Sequence, residues 1–195
     1  MPSFITAAVE GYPDEAVVRK LCNVTGLVIS GIHIKRGKGN LDKNLCGYNN
    51  AARFSPWLVL RDLDHDAECA PKLCEKLLPS PASQMYFRIV VKEVEAWIMG
   101  DLVNCAQYFR IHKSKFPSNP ESLEDPKTEL ISIVSRFGSQ EMKDEMVPFP
   151  GGTAKEGPAY ASRIADFAQS LWSPLVASKV CDSLQRCLAS LQSIK

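Results

Sequence analysis

The run Leu60-Arg61-Asp62-Leu63-Asp64-His65-Asp66 sets three carboxylates at alternate positions directly behind the apolar segment Trp57-Leu58-Val59-Leu60. Carboxylates forced together repel one another and have raised pKa values unless a cation neutralises them, so such a cluster suits a hard divalent ion, Mg²⁺ or Mn²⁺. Alternate side chains leaving a strand can be aimed at one point while adjacent ones diverge, which lets Asp62 and Asp64 share an ion. Two roles fit Asp66: a further ligand, or the N-cap of a helix expected from Ala67, where an aspartate contributes about 0.5–2 kcal/mol. The plain alternative for the whole run is a solvated turn with a helix cap.

Two further acids bear on the same chemistry. Glu10 closes the first apolar run, Phe4 to Val9, and Glu93 lies two residues past another, Phe87 to Val91. Ligands of open parallel sheets sit beyond the carboxyl ends of the strands, so Glu10, Asp62 and Glu93 are expected at one rim. On a helix Glu93 and Glu95 would stand about 200° apart and could not point the same way. Glu93 then serves as a ligand or complements the helix dipole. A calcium loop starting at Asp62 fails, because Ala67 stands where that loop needs glycine and Leu73 where it needs glutamate. An aspartyl-phosphate phosphatase would carry its Asp-x-Asp on the first strand, where this chain has Glu10.

Cations are available for a phosphate. Lys35, Arg36, Lys38 and Lys43 lie in or beside the glycine-rich stretch Arg36-Gly37-Lys38-Gly39-Asn40, which reads either as a phosphate cradle or as an exposed basic loop. It is not a Walker A loop, since GxxxxGK[ST] is absent. Arg61, Lys92, Arg88 and Arg53 could add contacts near the acids. His65, inside the acidic turn, reads as a ligand, a proton carrier or an exposed side chain. His33 and His112 have no partners visible in the sequence, and no Ser, Cys or Thr nucleophile motif is present.

These residues need a frame that brings them together. Strands are expected at Phe4 to Val9, Leu27 to Ile34, Trp57 to Leu60 and Phe87 to Val91. Helical spacing covers Asp14 to Leu21, Ala67 to Leu78 and Glu93 to Phe109, with a short helix at Tyr48 to Phe54. Strands alternating with helices predict an α/β fold with a mainly parallel sheet. Beyond a Pro- and Ser-marked connection from His112 to Pro126, helices are expected at Pro126 to Phe137, Pro158 to Leu171 and Lys179 to Leu191, with residues 146 to 158 as a loop. The expected division is an α/β core over 1–110 and a mainly helical extension over 111–195 packed on it.

Composition bounds the rest. A chain of 195 residues with 45% hydrophobic content can bury a core, and a net charge of +1 makes any polyanion site local. Seven cysteines without a CxxC pair read as free thiols in a reducing compartment. No apolar stretch approaches the roughly 18 residues that span a bilayer, and MPSFITAAVEG lacks the pattern of a signal peptide, so a soluble cytoplasmic chain is expected.

Glu10-Gly11 after the first strand and Asp62-x-Asp64-x-Asp66 after the third resemble the two motifs of the TOPRIM domain of topoisomerases, primases and overcoming-lysogenisation-defect nucleases. VEGYPDEAVVRKL, GYNNAA, PWLVLRDLDHD, FRIVVKEVEAWIMGD, Asp125-Pro126-Lys127, GPAY and Trp172-x-Pro174 look like a bacterial family of stand-alone TOPRIM-like proteins, suspected of acting beside ATPases in phage defence. The resemblance implies Mg²⁺-dependent attack on a phosphodiester, with the aspartates on the ion and Glu10 as general acid or base or as a ligand to a second metal. Water would be the nucleophile, because no tyrosine-bearing partner domain is evident. Nucleic acid is the substrate so implied. The alternative is a non-catalytic, metal-binding partner subunit of an ATPase.

Overall fold

A computed structural model describes residues 3–194. Its elements run β1 (Ser3–Val9), α1 (Tyr12–Thr25), β2 (Leu27–Ile34), α2 (Lys38–Lys43), α3 (Leu45–Ala51), β3 (Trp57–Asp62), α4 (Ala70–Leu77) and β4 (Met85–Val90). All-helical chain follows: α5 (Val94–Met99), α6 (Leu102–Phe109), two 3-10 turns, α7 (Pro126–Phe137), α8 (Gln140–Met146), α9 (Tyr160–Ser170), α10 (Pro174–Ala177) and α11 (Asp182–Gln192). The four strands form one parallel sheet in the order β2-β1-β3-β4, an α/β Rossmann-like arrangement with helices on both faces.

The burial of each strand follows its place in the sheet. Central β1 and β3 carry near-continuous apolar runs, and Ala7, Ala8, Val9, Leu58, Val59 and Leu60 are fully buried. Opposite faces feed two cores. Ile5, Ala7, Val9, Leu58 and Leu60 join α1, α5, α7, α9 and α11 on one side, and Ala8, Val59, Phe87 and Ile89 join α2, α3 and α4 on the other. Leu130, Ile133, Ile164, Phe167, Leu184 and Leu188 of the later helices share the first core with β1. Strand order reverses between β1 and β3, because the chain leaves β1 toward β2 and returns across it to reach β3. In such sheets the crevice for a ligand opens at that reversal.

Several expected boundaries shift for identifiable reasons. Glu93 to Phe109 is two helices, not one. Asp101, fully buried, accepts from the Asn104 N–H that opens α6 and from the Ser173 N–H at 2.8 Å, a tertiary bond that interrupts the apolar stripe. The helix after the acidic turn begins at Ala70 with Cys69 as its N-cap residue, so Asp66 is not a cap. The basic loop continues into α2 from Lys38, after Gly37 at φ 112°, a value that favours glycine. Helices α8 and α10 lie outside the expected set.

Candidate functional site

The carboxyl ends of β1 and β3 deliver their acids to a common rim. Glu10 Oε1 accepts the backbone N–H of Asp62 at 3.1 Å, which ties the glutamate across the reversal point. Lys35 N–H donates to the Val9 carbonyl at 2.9 Å and Gly37 N–H to that of Glu10 at 3.2 Å, holding the basic segment beside it.

Here an open cleft of about 340 Å³ is walled by Glu10, Asp14, Asp62, Glu93, Glu95 and Glu156, with Arg36, Lys127 and Tyr160 completing it. Six acids line it against two cations, and their crowding shows in how they titrate. Burial raises Glu10 to about 7 despite the Asp62 N–H and the Arg61 charge. Burial, with Glu95 and Glu10 nearby, raises Asp14 to about 7. Burial, with Glu95 adding to it, lifts Glu93 to about 7. Asp62 is pushed well above the carboxylate range by burial and then by the charges of Asp14, Glu95 and Glu10. Its Oδ1 is buried without a hydrogen-bond partner.

The acidic turn divides its carboxylates. Asp62 borders the cleft, whereas Asp64 and Asp66 turn to cations. Lys38 Nζ donates to Asp64 Oδ2 at 2.8 Å and to Asp66 Oδ1 at 3.0 Å. Arg61, 3% exposed, pairs with Asp66 at 2.6 Å and Asp42 at 3.2 Å, and lies 4.0 Å from both Glu10 and Asp64. Asp64 adopts φ 47° and Lys92 φ 64°, and the Asp64 N–H donates to the Lys92 carbonyl at 3.0 Å, so the turn is held in its left-handed bend by the segment after β4. His65 is exposed.

Glu93 and Glu95 both face the cleft, against the expectation that they diverge. Glu93 has extended geometry, φ −143° and ψ 157°, and precedes the helix, so the 100° step per residue does not apply to it. Its Oε2 accepts the Lys127 N–H at 2.9 Å, in the first turn of α7. Buried Glu95 accepts from Tyr160 Oη at 2.9 Å. Lys127 pairs with Glu156 and stands 4.9 Å over the Tyr160 ring. Helices α7 and α9 thus complete the cleft wall.

The other candidate cations are scattered. Arg36 lines the cleft, and Lys35 lies over the Tyr48 ring at 5.5 Å. Lys92 and Arg88 line a separate cavity beside β4. Arg53 precedes β3, at the amino end of the strands. Sequence reasoning gave no site role to Asp14, Lys127, Glu156 or Tyr160, although Asp14, Lys127 and Tyr160 lie in motifs quoted for the resemblance. Asp14 carried a signal: with Val17, Val18 and Leu21 it follows the i, i+3, i+4, i+7 spacing of the buried face of α1. The others depend on tertiary approach of α7 and α9.

Among the described residues, no three carboxylate, histidine or thiol groups stand close enough to hold an ion as they are placed. The donor chemistry does fit a hard divalent ion: only oxygens converge, they suppress one another's ionisation, and Asp62 Oδ1 has nothing to accept from. Glu10 and Asp62, with Asp14, Glu93 and Glu95 around them, are the residues that would hold it. Asp64 and Asp66 would join only on release from Lys38 and Arg61. No helix among the described residues is long and apolar enough to cross a membrane. Compared with protein-family models, with curated proteins and with solved structures, the chain matches none.

Proposed function

We propose that the protein hydrolyses phosphodiester bonds of nucleic acid with Mg²⁺ or Mn²⁺, using the cleft at the β1/β3 rim as a TOPRIM-like acidic site. The observation that carries this reading is the pairing of Glu10 with the Asp62 backbone at 3.1 Å, beside an Asp62 Oδ1 that is buried and unpartnered. A bound ion supplies charge neutralisation at the phosphoryl oxygen. In the metal-free protein burial raises Glu10 to about 7, and where it is not itself on the ion it would take a proton from an attacking water or return one to the leaving oxygen. Arg36 and Lys127 border the same cleft and would orient a phosphate against the surrounding negative charge.

The test is cleavage of single- and double-stranded DNA and RNA by purified protein with Mg²⁺ or Mn²⁺. Glu10→Gln and Asp62→Asn should each abolish cleavage while leaving the circular dichroism spectrum unchanged. Cleavage that survives both substitutions would overturn the assignment.

A further inference from the structure

A second cavity, about 430 Å³, lies along the outer edge of β4, and none of the residues lining it lines the acidic cleft. Helix α4 covers β4 on one face of the sheet and α11 on the other. Trp57 N–H donates to the Gln84 carbonyl and Leu63 N–H to that of Val90, both at 2.9 Å, which turns the peptide groups of Phe87 and Ile89 away from β3. With β4 at the end of the sheet, no strand covers that edge, and Phe87 and Ile89 line the cavity.

Its charges do not cancel. Glu68 pairs with Lys72, and Asp182 with Arg186 at 2.7 Å. Arg88 and Lys92 have no carboxylate partner among the described residues. Arg88 meets only the Ser190 hydroxyl, and its Nε is buried without a partner. The wall around these cations is apolar: Leu63, Pro71, Phe87, Ile89 and Val91. Volume, apolar lining and a few unopposed polar groups are the attributes of a small-molecule site.

We propose that this cavity binds a small organic anion, a phosphate monoester or a carboxylate carrying an apolar body, with Arg88 and Lys92 at its charged end. The site stands whether or not the acidic cleft cuts nucleic acid. Its occupant would lie one peptide group from the acidic turn, because the Lys92 carbonyl accepts the Asp64 N–H at 3.0 Å.

The full chain supplies its own reporters. Cys69 and Cys74 line the cavity, while Cys46 is exposed on α3 and serves as an internal reference. Iodoacetamide modification, read per cysteine by mass spectrometry, is compared with adenosine monophosphate, octanoate or inorganic phosphate present at millimolar concentration. The expected result is a several-fold slowing at Cys69 and Cys74 with adenosine monophosphate or octanoate and none at Cys46. The active probe then identifies the anion as phosphate monoester or carboxylate. Arg88→Gln and Lys92→Gln should each weaken that protection by about tenfold or more, the usual weight of one charged hydrogen bond. Should Arg88→Gln fail to fold, Lys92→Gln carries the test alone. No protection by either organic probe, equal protection by inorganic phosphate, or protection unaltered in the folded variants would each overturn the proposal.

Discussion

Asp62 and Asp64, two positions apart on the same turn, serve opposite sides of the β3 rim: Asp62 borders the acidic cleft with a buried, unpartnered Oδ1, while Asp64 accepts from Lys38 at 2.8 Å. Neutralising them should therefore shift stability in opposite directions. Asp62→Asn removes a carboxyl whose ionisation is opposed first by burial and then by the charges of Asp14, Glu95 and Glu10, and should stabilise the metal-free protein at alkaline pH by about 1 kcal/mol. Asp64→Asn loses a half-exposed ion pair and should cost up to about 1 kcal/mol. Urea denaturation in EDTA measures both, and equal signs would mean that the two carboxylates share one environment.

The raised carboxylates set a pH dependence of definite sign. Glu10, Asp14 and Glu93 are raised to about 7, chiefly by burial, from ordinary values of 4.5, 3.8 and 4.5. Between about pH 4 and 7 the folded chain therefore holds more protons than the unfolded chain, and unfolding free energy falls as pH rises. This stability is fully present below the unfolded pKa values and is lost as pH climbs through about 7. Asp66 acts the other way: burial raises it, but the hydrogen bonds from Lys38 and Arg61 outweigh burial and hold it below its usual value of 3.8, so its contribution disappears only in stronger acid. The metal-free protein should accordingly melt highest near pH 5 and lower at pH 8. Because protons and Mg²⁺ compete for the same oxygens, the Tm increase caused by Mg²⁺ should be larger at pH 8 than at pH 5.5. Melting curves at the two pH values, with and without Mg²⁺, check both statements.

Arg61 is the anchor of the turn. Its buried guanidinium pairs with Asp66 and Asp42 and donates to the Asp62 carbonyl. Arg61→Met keeps the volume but removes the cation that pairs with Asp42 and leaves Asp66 with Lys38 alone. Breaking one side of a buried ion pair costs about 3–5 kcal/mol. Discounted for the partial exposure of Asp42 and Asp66, a loss of about 2–3 kcal/mol is expected in equilibrium denaturation. A loss below about 0.5 kcal/mol would show that the turn is held by the Asp64 to Lys92 backbone bond instead.

The sheet was legible because period and composition act locally: β2 falls at Leu27–Ile34 and α7 at Pro126–Phe137, the spans expected from their patterns. Glu10, Asp62 and Glu93 meet at one cleft because each stands at or just past the carboxyl end of a parallel strand. Less visible was everything set by distant chain. The α5/α6 break depends on Ser173 reaching Asp101 across 72 residues, and Asp64 is diverted by Lys38 from 26 residues away. Tyr160 meets Glu95 across 65 residues. Spacing rules carry no information about such partners, whereas the buried register of Asp14 on α1 was local and could have been counted.

Packing around the cleft gives a last, purely steric prediction. A Cβ on Gly157 would lie 2.4 Å from the Glu145 carbonyl oxygen and 2.5 Å from the Met146 carbonyl carbon, both backbone atoms at the end of α8. The Gly157 N–H donates to the Met146 carbonyl at 3.0 Å and the Ala159 N–H to that of Glu145 at 2.9 Å, so the two segments cannot separate without losing these bonds. A Cβ on Gly100 would meet Cys181 Sγ at 2.7 Å and the Ala177 Cβ at 3.1 Å, contacts that a side-chain shift partly relieves. Overpacking typically costs about 1–3 kcal/mol. Gly100→Ala should fall within that range and Gly157→Ala at its top or beyond, measured by urea midpoints at constant slope. Adding Cys181→Ala should recover part of the Gly100→Ala loss beyond the sum of the single effects, since it removes the atom in closest conflict. The same addition should not help Gly157→Ala, whose conflict is with backbone, and this difference separates a local clash from a general weakening of the first core.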